Sequence, residues 1–556
     1  MAQPETQQEE PPKPLKKVLR EFLVPCAQHN KDKRFIPRRQ LETTCNIRAV
    51  RRELKRVYPR SDPNFCEQLA SLICHGQTRN SSAISKSYFN IFAILALVNE
   101  SKLIDFFRKH SLCDDDLPFH CTSDFAKMWP NNKKEKDYIQ FPDGVDDEFI
   151  EAFAREQWSV LVPSFESPKS NSLRCNFYEF NDKAILPIIN ISKNKHTGGF
   201  GVVERVQLHE DHHEFVHSRF ALKTIHSMMP FDLKSTLFQQ ELKAFQQAKP
   251  GSHLIDVCAA FKKGENYSFL FPWADGGTLN HLWTKDPQTI VVNKKVKWSE
   301  FSRWLCKQCH GIIRDLRAIH EPHDTAQAKD KAADDDDLYG IHSDIKPDNI
   351  LHFTDDGTLL GILKVSDLGL MKFHRLISRT VQSKSMGAAY QTYRAPEHDM
   401  NMIRSRKVDI WAFGCLFAEF LTWAIAGQGG IDHFKNMRVD EDKHFPDPKK
   451  GEWFEDHFFT MRTGQPKRKD SVAEWFAHLS EDLGKDTFFP QFLNFIQNSM
   501  LHPDRNSRVD CKDVEKFLER CLGNNVNSSY WLFDGSLTAQ YVLSRSSTES
   551  SSWSQD

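Results

Sequence analysis

The sequence has no dense cluster of cysteines and no excess of charge of either sign. Its 13 cysteines are scattered along 556 residues, and this odd number without clustering favours a reducing compartment over a disulfide scaffold. The 74 basic and 75 acidic residues leave a formal net charge of −1, so composition does not predict wholesale binding to nucleic acid or to a membrane. We expect a protein of the cytoplasm, or of the nucleus, for which nucleic acid is not a partner.

An apolar N-terminal leader and a long hydrophobic run are also missing. The chain begins MAQPETQQEEPPKPLKK, which has no apolar core after a basic start and is not a secretory signal. The longest apolar run, residues 411–427, carries Glu419 in its middle and is short for a membrane span. We therefore predict a buried helix at this position and no membrane span.

Composition and periodicity divide the chain into four parts. Residues 1–30 are rich in Pro, Gln and Glu and are predicted to be disordered, as is a Ser-rich tail over residues 526–556. Residues 31–165 have helical periodicity without a motif of known chemistry, which predicts an all-α module of unknown function. From about residue 185, short β-branched and aromatic runs lead into longer helical patterns. This order predicts an α+β fold with two lobes over residues 185–525.

Two features of the strand-rich part are weak signals by themselves. The run KHTGGFGVV, which starts at Lys195, has glycines that would let backbone N–H groups approach phosphate oxygens, although a plain hairpin turn is the commoner explanation. FALK ends at Lys223, inside an apolar strand where a lysine is costly to bury unless an anion neutralises it. Glu241, in a later helical segment, could hold Lys223 towards a phosphate. An ordinary solvated lysine at a strand edge is the alternative.

A polar loop between apolar segments, IHSDIKPDNIL from Ile341, is a much stronger signal. Asp344 can orient an attacking hydroxyl and accept its proton, and Lys346 can stabilise charge on a transferred phosphoryl group. Asn349 offers a carbonyl oxygen to a metal ion. Asp367, in KVSDLGL, supplies a carboxylate that can hold magnesium across phosphates. These residue types predict phosphoryl transfer.

Three more motifs follow in order. TYRAPE ends at Glu397, DIWAFG contains Asp409, and HPDRNSR ends at Arg508, a predicted ion-pair partner of Glu397. The ordered set of seven motifs resembles the eukaryotic-type protein kinases, whose signature runs from a Gly-rich loop to a closing Ala-Pro-Glu motif. The resemblance covers residues 185–525. In its arrangement the chain also resembles uncharacterised fungal kinases with an N-terminal helical region.

The resemblance implies a two-lobed protein-kinase-like fold preceded by an all-α N-terminal module, with ATP and Mg²⁺ as cofactors. The implied reaction is transfer of the γ-phosphoryl group of ATP to a hydroxyl of a protein substrate. Motif by motif, the resemblance assigns Asp344 and Lys346 to catalysis and Asn349 and Asp367 to the metal. The residues that it places around ATP are Gly198, Gly201, Val203, Ala221, Lys223, Glu241, Pro272 and Ala274.

Several positions depart from the family pattern. His196 stands where the first glycine of the Gly-rich loop is expected. Ser343 replaces an arginine that in the family often pairs with a phosphate on the activation loop, so we expect that phosphorylation of this loop is not the main switch. Tyr390 stands where Ser/Thr kinases commonly carry threonine, whereas Lys346 in DIKPDN follows the Ser/Thr pattern. On the latter motif we predict a serine/threonine kinase.

Two charged stretches have both a plain and a functional explanation. Residues 321–338 form an acidic insertion before the catalytic loop, for which a solvated loop is the commoner explanation and docking of a basic partner the alternative. The first 60 residues hold 15 Lys or Arg against 7 Asp or Glu, and Arg48, Arg52 and Arg56 share one helix face. A solvated helix face is the default here, and the alternatives are an acidic or protein partner of the N-terminal module, nucleic acid or an anionic membrane.

Two groups of metal-ligating residue types are expected to be coincidental. Cys306, Cys309 and His310 spell the C-x-x-C-H of haem attachment, but they lie inside a helical pattern. The second group lies in a predicted hairpin loop and is expected to be solvated: His209, His213 and His217.

Two rival functions stay open at the level of sequence. The first is a pseudokinase that binds partners without transferring phosphate, and the second is a scaffold that acts through the N-terminal helical module. The simultaneous presence of Lys223, Asp344, Asn349 and Asp367 favours an active enzyme.

Overall fold

The chain divides into two compact units in the computed structural model. The first comprises Met1–Met228 and Cys258–Phe271, and the second Met229–Val257 and Pro272–Asp556. The structure describes residues 13–28, 32–75, 86–168, 175–197, 201–225, 229–247, 251–320, 341–354, 357–367, 392–400, 405–444, 455–462, 464–481, 483–523 and 528–531.

The N-terminal part of the first unit is helical, as predicted. Its central helix, Phe89–Val98, is apolar on every side, and it is buried on every side as a result. The Asp114 carboxylate accepts hydrogen bonds from two backbone N–H groups at the start of this helix, and Asn99 ends it in a left-handed conformation. The helices are α1 (Leu15–Glu21), α2 (Arg38–Thr44), α3 (Ile47–Val57), α4 (Pro63–His75), α5 (Phe89–Val98), α6 (Ile104–Lys109) and α7 (Asp147–Val160), and the short strands are β1 (Val24–Pro25), β2 (Arg34–Phe35), β3 (His120–Cys121) and β4 (Met128–Trp129).

Helix α1 corrects the predicted disordered tail. Leu15 and Leu19 are buried in the core of the module, so this part of the predicted tail is folded. The Pro, Gln and Glu residues are concentrated in residues 1–12, whereas apolar residues recur from Leu15 onward and give the short helix a face that can dock. Residues 1–12 lie outside the described part of the chain.

The rest of the first unit is a six-stranded sheet in the order β5-β9-β10-β8-β7-β6. Strand β5 lies before the predicted start of the kinase region and pairs in parallel with β9 at one edge. The other five strands include the β-branched and aromatic runs from about residue 185 onward that predict strands. The bounds are β5 (Asn176–Phe180), β6 (Ile188–Thr197), β7 (Gly201–Leu208), β8 (Phe220–Ile225), β9 (Ala259–Lys263) and β10 (Asn266–Pro272).

The helical module and the sheet pack into one unit through the segment that follows β7. The backbone N–H of Arg38 donates to His212 Nε2 at 3.3 Å, and the Phe35 ring packs edge-on against His212 with centroids 5.6 Å apart. Arg39 pairs with Asp211 at 3.3 Å. On the neighbouring strand, the N–H of Ala27 donates to the carbonyl of Ile188 at 2.7 Å. The helical module therefore packs directly against the sheet region within this unit.

The second unit is mostly helical and contains the predicted buried helix. Helix α12 holds the apolar run, is kinked at Gly427 (φ 66°), and is long and apolar enough to cross a membrane by length and composition alone. Most of that apolar stretch is buried inside the fold, as predicted for a core helix. The bounds are α8 (Phe231–Gln247), α9 (Leu279–Trp283), α10 (Pro287–Lys294), α11 (Trp298–His320), α12 (Lys407–His444), α13 (Asp470–Ser480), α14 (Phe488–Phe495), α15 (Cys511–Gly523), β11 (Ile350–Phe353), β12 (Ile362–Val365), β13 (Phe459–Thr460) and β14 (Lys467–Arg468).

The C-terminal boundary also differs from the prediction. Tyr530 and Trp531 are buried, and the Trp531 ring packs on Phe488 with centroids 5.0 Å apart. The fold therefore extends at least to residue 531, beyond the predicted start of the Ser-rich tail at residue 526, because two aromatic side chains are buried here. Residues 532–556 lie outside the described residues.

The buried His212 predicts a pH dependence of stability. Burial lowers its pKa from 6.5 to about 4, so the unfolded chain binds this proton at higher pH than the folded one. The resulting stabilisation is complete above about pH 6.5 and is lost as the pH falls towards 4, by up to ~3 kcal/mol. Chemical denaturation between pH 7 and pH 4.5 measures it. His212→Gln should flatten this part of the pH dependence, whereas the same change at the exposed His110 should not. Identical pH profiles for the two variants would contradict the assignment.

Candidate active site

One face of two neighbouring strands gathers the predicted nucleotide-binding residues of the first unit. Val203 on β7 is directly opposite Lys223 on β8, so both side chains lie on the same face of the sheet. Gly201 and Ala221 share that face because each precedes one of them by two residues. A Cβ atom at Gly201 would lie 2.5 Å from the carbonyl oxygen of Thr224, so glycine is required there. Gly198 lies outside the described residues.

The remaining residues predicted around ATP belong to the second unit or its border. Glu241 lies in α8 and is buried. Pro272 ends β10 and Ala274 follows in a turn that is also buried. Two backbone hydrogen bonds join this turn to β11, since Gly276 N–H donates to the carbonyl of His352 and His352 N–H donates back to Gly277. The ion pair between Lys223 and Glu241 stays a prediction.

The catalytic-loop motif brings its three functional side chains into contact. Lys346 Nζ lies 2.9 Å and 3.1 Å from the two carboxylate oxygens of Asp344. Asn349 Nδ2 donates to both the backbone carbonyl and the carboxylate of Asp344 at 2.8 Å. A 3₁₀ turn over Pro347–Asn349 makes this possible, because it returns the chain towards Asp344. The predicted residues Asp344, Lys346 and Asn349 therefore form one cluster.

Burial sets the electrostatics of this cluster. It raises the pKa of the Asp344 carboxyl, while the charge and hydrogen bond of Lys346 act in the opposite direction. A raised pKa makes a carboxylate a better proton acceptor. Lys346 is only partly buried and so stays reachable from solvent.

A buried carboxylate from α12 holds the catalytic loop by its backbone. Asp409 accepts the N–H of His342 at 2.7 Å, the N–H of Ser343 at 2.8 Å and Nε2 of His320 at 2.9 Å. Ser343 has φ 61°, a left-handed conformation that is strained for a residue with a Cβ atom. Cys511 Sγ lies 3.3 Å from the other ring nitrogen of His320. The position of Asp344 thus depends on Asp409.

Asp367 is tied to the same loop through its neighbour Ser366. Ser366 donates both its N–H and its hydroxyl to the carbonyl of Asn349, and its own carbonyl lies 2.8 Å from His342 Nε2. Asp367 itself has φ 58°. These contacts place Asn349 and Asp367 on adjoining segments of the chain, and their binding of a metal ion stays a prediction.

The segment after the predicted activation loop forms a wall of a shallow pocket. Its Glu397 pairs with the fully buried Arg508 at 2.8 Å, as predicted from the sequence. The pocket is lined by Asp344 and Lys346 of the catalytic loop together with Tyr393 and Ala395 of this segment. A side chain that enters this pocket would therefore approach Asp344.

Comparison with known proteins identifies this arrangement. A family model described as "Protein kinase domain" matches residues 196–518, more than half of the chain. The chain belongs to the protein kinase family. This agrees with the mixed sheet, the helical second unit and the order of the kinase motifs.

Individual kinases match only in part. Cyclin-dependent kinase-like 4 of Homo sapiens is 28% identical over 283 residues, which is 50% of this chain and 61% of that protein. The G-type lectin S-receptor-like serine/threonine-protein kinase LECRK1 of Oryza sativa subsp. indica is 26% identical over 224 residues, 40% of this chain and 23% of its own. The sporulation-specific mitogen-activated protein kinase SMK1 of Saccharomyces cerevisiae is 42% identical over 86 residues, 14% and 21% of the two chains. This kinase therefore spans between about a fifth and three fifths of these relatives.

Some predictions concern residues away from the catalytic cluster, and others concern residues that lie outside the described parts of the chain. Cys306 and Cys309 are buried in helix α11, which confirms the predicted helix at this position; that their motif is coincidental stays a prediction. The acidic insertion 321–338 lies outside the described residues, and so does Tyr390. The resemblance to fungal kinases stays a prediction. Sequence reasoning missed the contacts of His212 and of Cys511, since neither residue belongs to a kinase motif.

Substitution of Asp409 should impair both the turnover and the stability of this kinase. Asp409→Asn should reduce kcat at least ~10-fold and lower stability by about 3 kcal/mol, because an amide cannot accept all three hydrogen bonds and leaves a buried donor unpaired. Steady-state kinetics and thermal unfolding measure the two effects.

Asp315→Asn is the matched control. Asp315 is also buried and accepts the N–H of His253 at 2.7 Å, but it does not contact the catalytic loop in the described structure. It should lose stability without a comparable loss of kcat. Equal kcat losses in the two variants would show that Asp409 acts only through general stability.

Proposed function

We propose that this protein kinase is an active enzyme that transfers the γ-phosphoryl group of ATP to serine or threonine hydroxyls of proteins. The observation that carries the proposal is the contact cluster of Asp344, Lys346 and Asn349 on one loop. A chain that only bound partners would not need a buried carboxylate, a cation and an amide in this arrangement.

Each residue of the cluster has a role that follows from its position. Asp344 orients the substrate hydroxyl and accepts its proton, which its raised pKa favours. Lys346 stabilises negative charge on the phosphoryl group during transfer, for which its partial exposure leaves it accessible. Asn349 fixes the Asp344 carboxylate through its amide N–H. In the family's arrangement Lys223 would contact the ATP phosphates.

The residues at the site also fit Mg²⁺. Among the described residues, both side-chain hydrogen bonds of Asn349 are donated by its Nδ2. Its side-chain carbonyl oxygen can therefore face a cation. Asp367 adds a carboxylate, and magnesium prefers such oxygen ligands. When bound, the ion would neutralise phosphate charge during transfer.

The proposal that serine or threonine hydroxyls are the acceptors is supported by the run DIKPDN around Lys346 and by the serine/threonine kinase among the relatives.

The proposed location in the cytoplasm or nucleus is supported by the 13 free cysteines. An acidic or protein partner of the N-terminal module is consistent with Arg48 and Arg52, which lie exposed on α3. Arg56 instead pairs with Glu53 on the same helix.

Removal of the general base tests the reaction. Asp344→Asn should lower phosphotransfer to a serine peptide by roughly a hundred- to ten-thousand-fold while ATP binding stays nearly intact. Asp348→Asn, an exposed change in the same loop, is the control and should be close to wild type. Near-normal turnover of Asp344→Asn would sink its assignment, and a wild type that transfers nothing would favour the pseudokinase.

Removal of the metal carboxylate tests the role of magnesium. Asp367→Ala should abolish the additional thermal stabilisation that Mg²⁺ gives in the presence of ATP, because that stabilisation requires a ligand for the ion. Asp256→Ala, an exposed position paired with Lys364, should retain it. If Asp367→Ala keeps the full magnesium-dependent shift, another residue holds the ion.

A further inference from the structure

Thr392 and Tyr393, at the start of the pocket wall beside Asp344, are each hydrogen-bonded to a different part of the second unit. Thr392 Oγ1 donates to Asp456 Oδ1 at 2.7 Å, and the Tyr393 hydroxyl donates to the Glu419 carboxylate in the middle of α12. The two adjacent residues are thus held from two sides.

Arg438 connects these two attachments. Its Nη2 lies 2.7 Å from Glu419 Oε1, and its Nε donates to the backbone carbonyl of Asp456 at 3.0 Å. The contacts close a ring, named here the Arg438 ring, that contains Thr392, Asp456, Arg438, Glu419 and Tyr393.

The surroundings of Arg438 make it a rigid connector. Its side chain has no exposed surface, and its guanidinium contacts the rings of both Phe434 and Phe458, 4.1 Å and 4.2 Å from their centroids. These two rings are nearly perpendicular to each other, and a buried guanidinium packed in the corner that they form has few alternative positions. Burial raises the pKa of Glu419, and the charge of Arg438 opposes that shift. Within the Arg438 ring, the positive charge of Arg438 therefore balances the negative charge of Glu419.

The Arg438 ring matters for function because it holds Thr392 and Tyr393 in place. Tyr393 and Arg394 line the same pocket as Asp344 and Lys346, so a protein substrate that presents its hydroxyl to Asp344 would lie along this wall. In many switches a phosphate supplies the charge that orders such a segment. Here the charges are internal, and Ser343 takes the position of the arginine that would receive a phosphate.

We propose that Arg438 is a positioning residue that fixes Thr392 and Tyr393 for binding of the protein substrate, so that this wall forms without a phosphate. The inference rests on the proposed kinase function. It predicts that changes at Arg438 alter the KM for the peptide substrate and leave the KM for ATP unchanged.

The experiment uses the full chain and the best peptide from a library of serine and threonine peptides. Thr392→Val and Asp456→Ala each remove one hydrogen bond of the ring, and each should raise the KM for peptide roughly fivefold. The double variant should match either single one, because both remove the same contact. The KM for ATP and the hydrolysis of ATP without peptide should stay at wild-type values.

Changes at Arg438 itself add a graded series. Arg438→Met should raise the KM for peptide more than ~10-fold, since it leaves Glu419 buried without its cation. Arg438→Lys should restore part of that loss, because an ammonium keeps the charge but cannot reach both partners in the planar geometry of a guanidinium. Circular dichroism shows which variants fold, and the threonine and aspartate variants carry the test if Arg438→Met does not.

The control for packing is Thr422→Val. Thr422 is a buried threonine of α12 that donates to the carbonyl of Ala418 and accepts from Trp475, and it does not contact residues 392–395 in the described structure. It should leave the KM for peptide unchanged. Phosphatase treatment of the wild type should also leave the rate within about twofold.

Three results would overturn the proposal while leaving the kinase function in place. The first is an unchanged KM for peptide in Thr392→Val and Asp456→Ala. The second is a fall in their ATP hydrolysis without peptide that matches the rise in the KM for peptide, which would make the Arg438 ring purely structural. The third is a loss of more than about twofold in the rate on phosphatase treatment. A wild type without any phosphotransfer would instead overturn the proposed function, and the role of Arg438 with it.

Discussion

The geometry of the candidate site depends on the buried carboxylate of Asp409. Burial alone would raise its pKa, but the hydrogen bond and charge of His320 and the donors at His342 outweigh that effect and lower it. An ionised carboxylate in the interior is stable only while its donors are in place. The catalytic loop provides two of those donors through its backbone, so the loop cannot leave without exposing an unpaired charge. Cys511 extends the arrangement by contacting His320 from the far side.

The same principle recurs elsewhere in the second unit. Arg508 pairs with Glu397, and Lys469, which has no exposed side-chain surface, pairs with Asp442 at 2.9 Å and donates to two backbone carbonyls. Buried ion pairs contribute little net stability, because desolvation offsets most of their attraction. Their effect here is on geometry. A charged pair accepts one arrangement of its neighbours, whereas an apolar contact tolerates several, and a phosphoryl-transfer site requires reacting atoms in one arrangement.

The sequence predicts this molecule best where the chemistry is local. Asp344, Lys346 and Asn349 lie within six residues, so one loop motif predicts both their identity and their contact. Strands β6, β8 and β10 could be predicted from runs of β-branched and aromatic residues, because those runs reflect local preference. The contact of His212 with Arg38 joins elements that are distant in sequence, and the contact of Arg438 with Glu419 joins the two parts of α12 across the kink at Gly427. Neither contact could be predicted, because periodicity indicates a buried face without its partner. The predicted boundaries were wrong because the average composition of a long stretch does not show that apolar residues at its inner end, such as Leu15 and Trp531, are buried.

Ser343 shows how a departure from the family pattern can leave the site intact. Asp409 contacts the backbone N–H of this residue and not its side chain, so the loop geometry does not require an arginine there. What it requires is a residue that tolerates φ 61°, a conformation that costs about 1–2 kcal/mol for a non-glycine residue. The hydrogen bonds to Asp409 offset that strain. Loss of the arginine side chain therefore removes a means of sensing phosphate without disturbing Asp344, and the chain has internal charges, at Glu419 and Arg438, that hold the neighbouring segment instead.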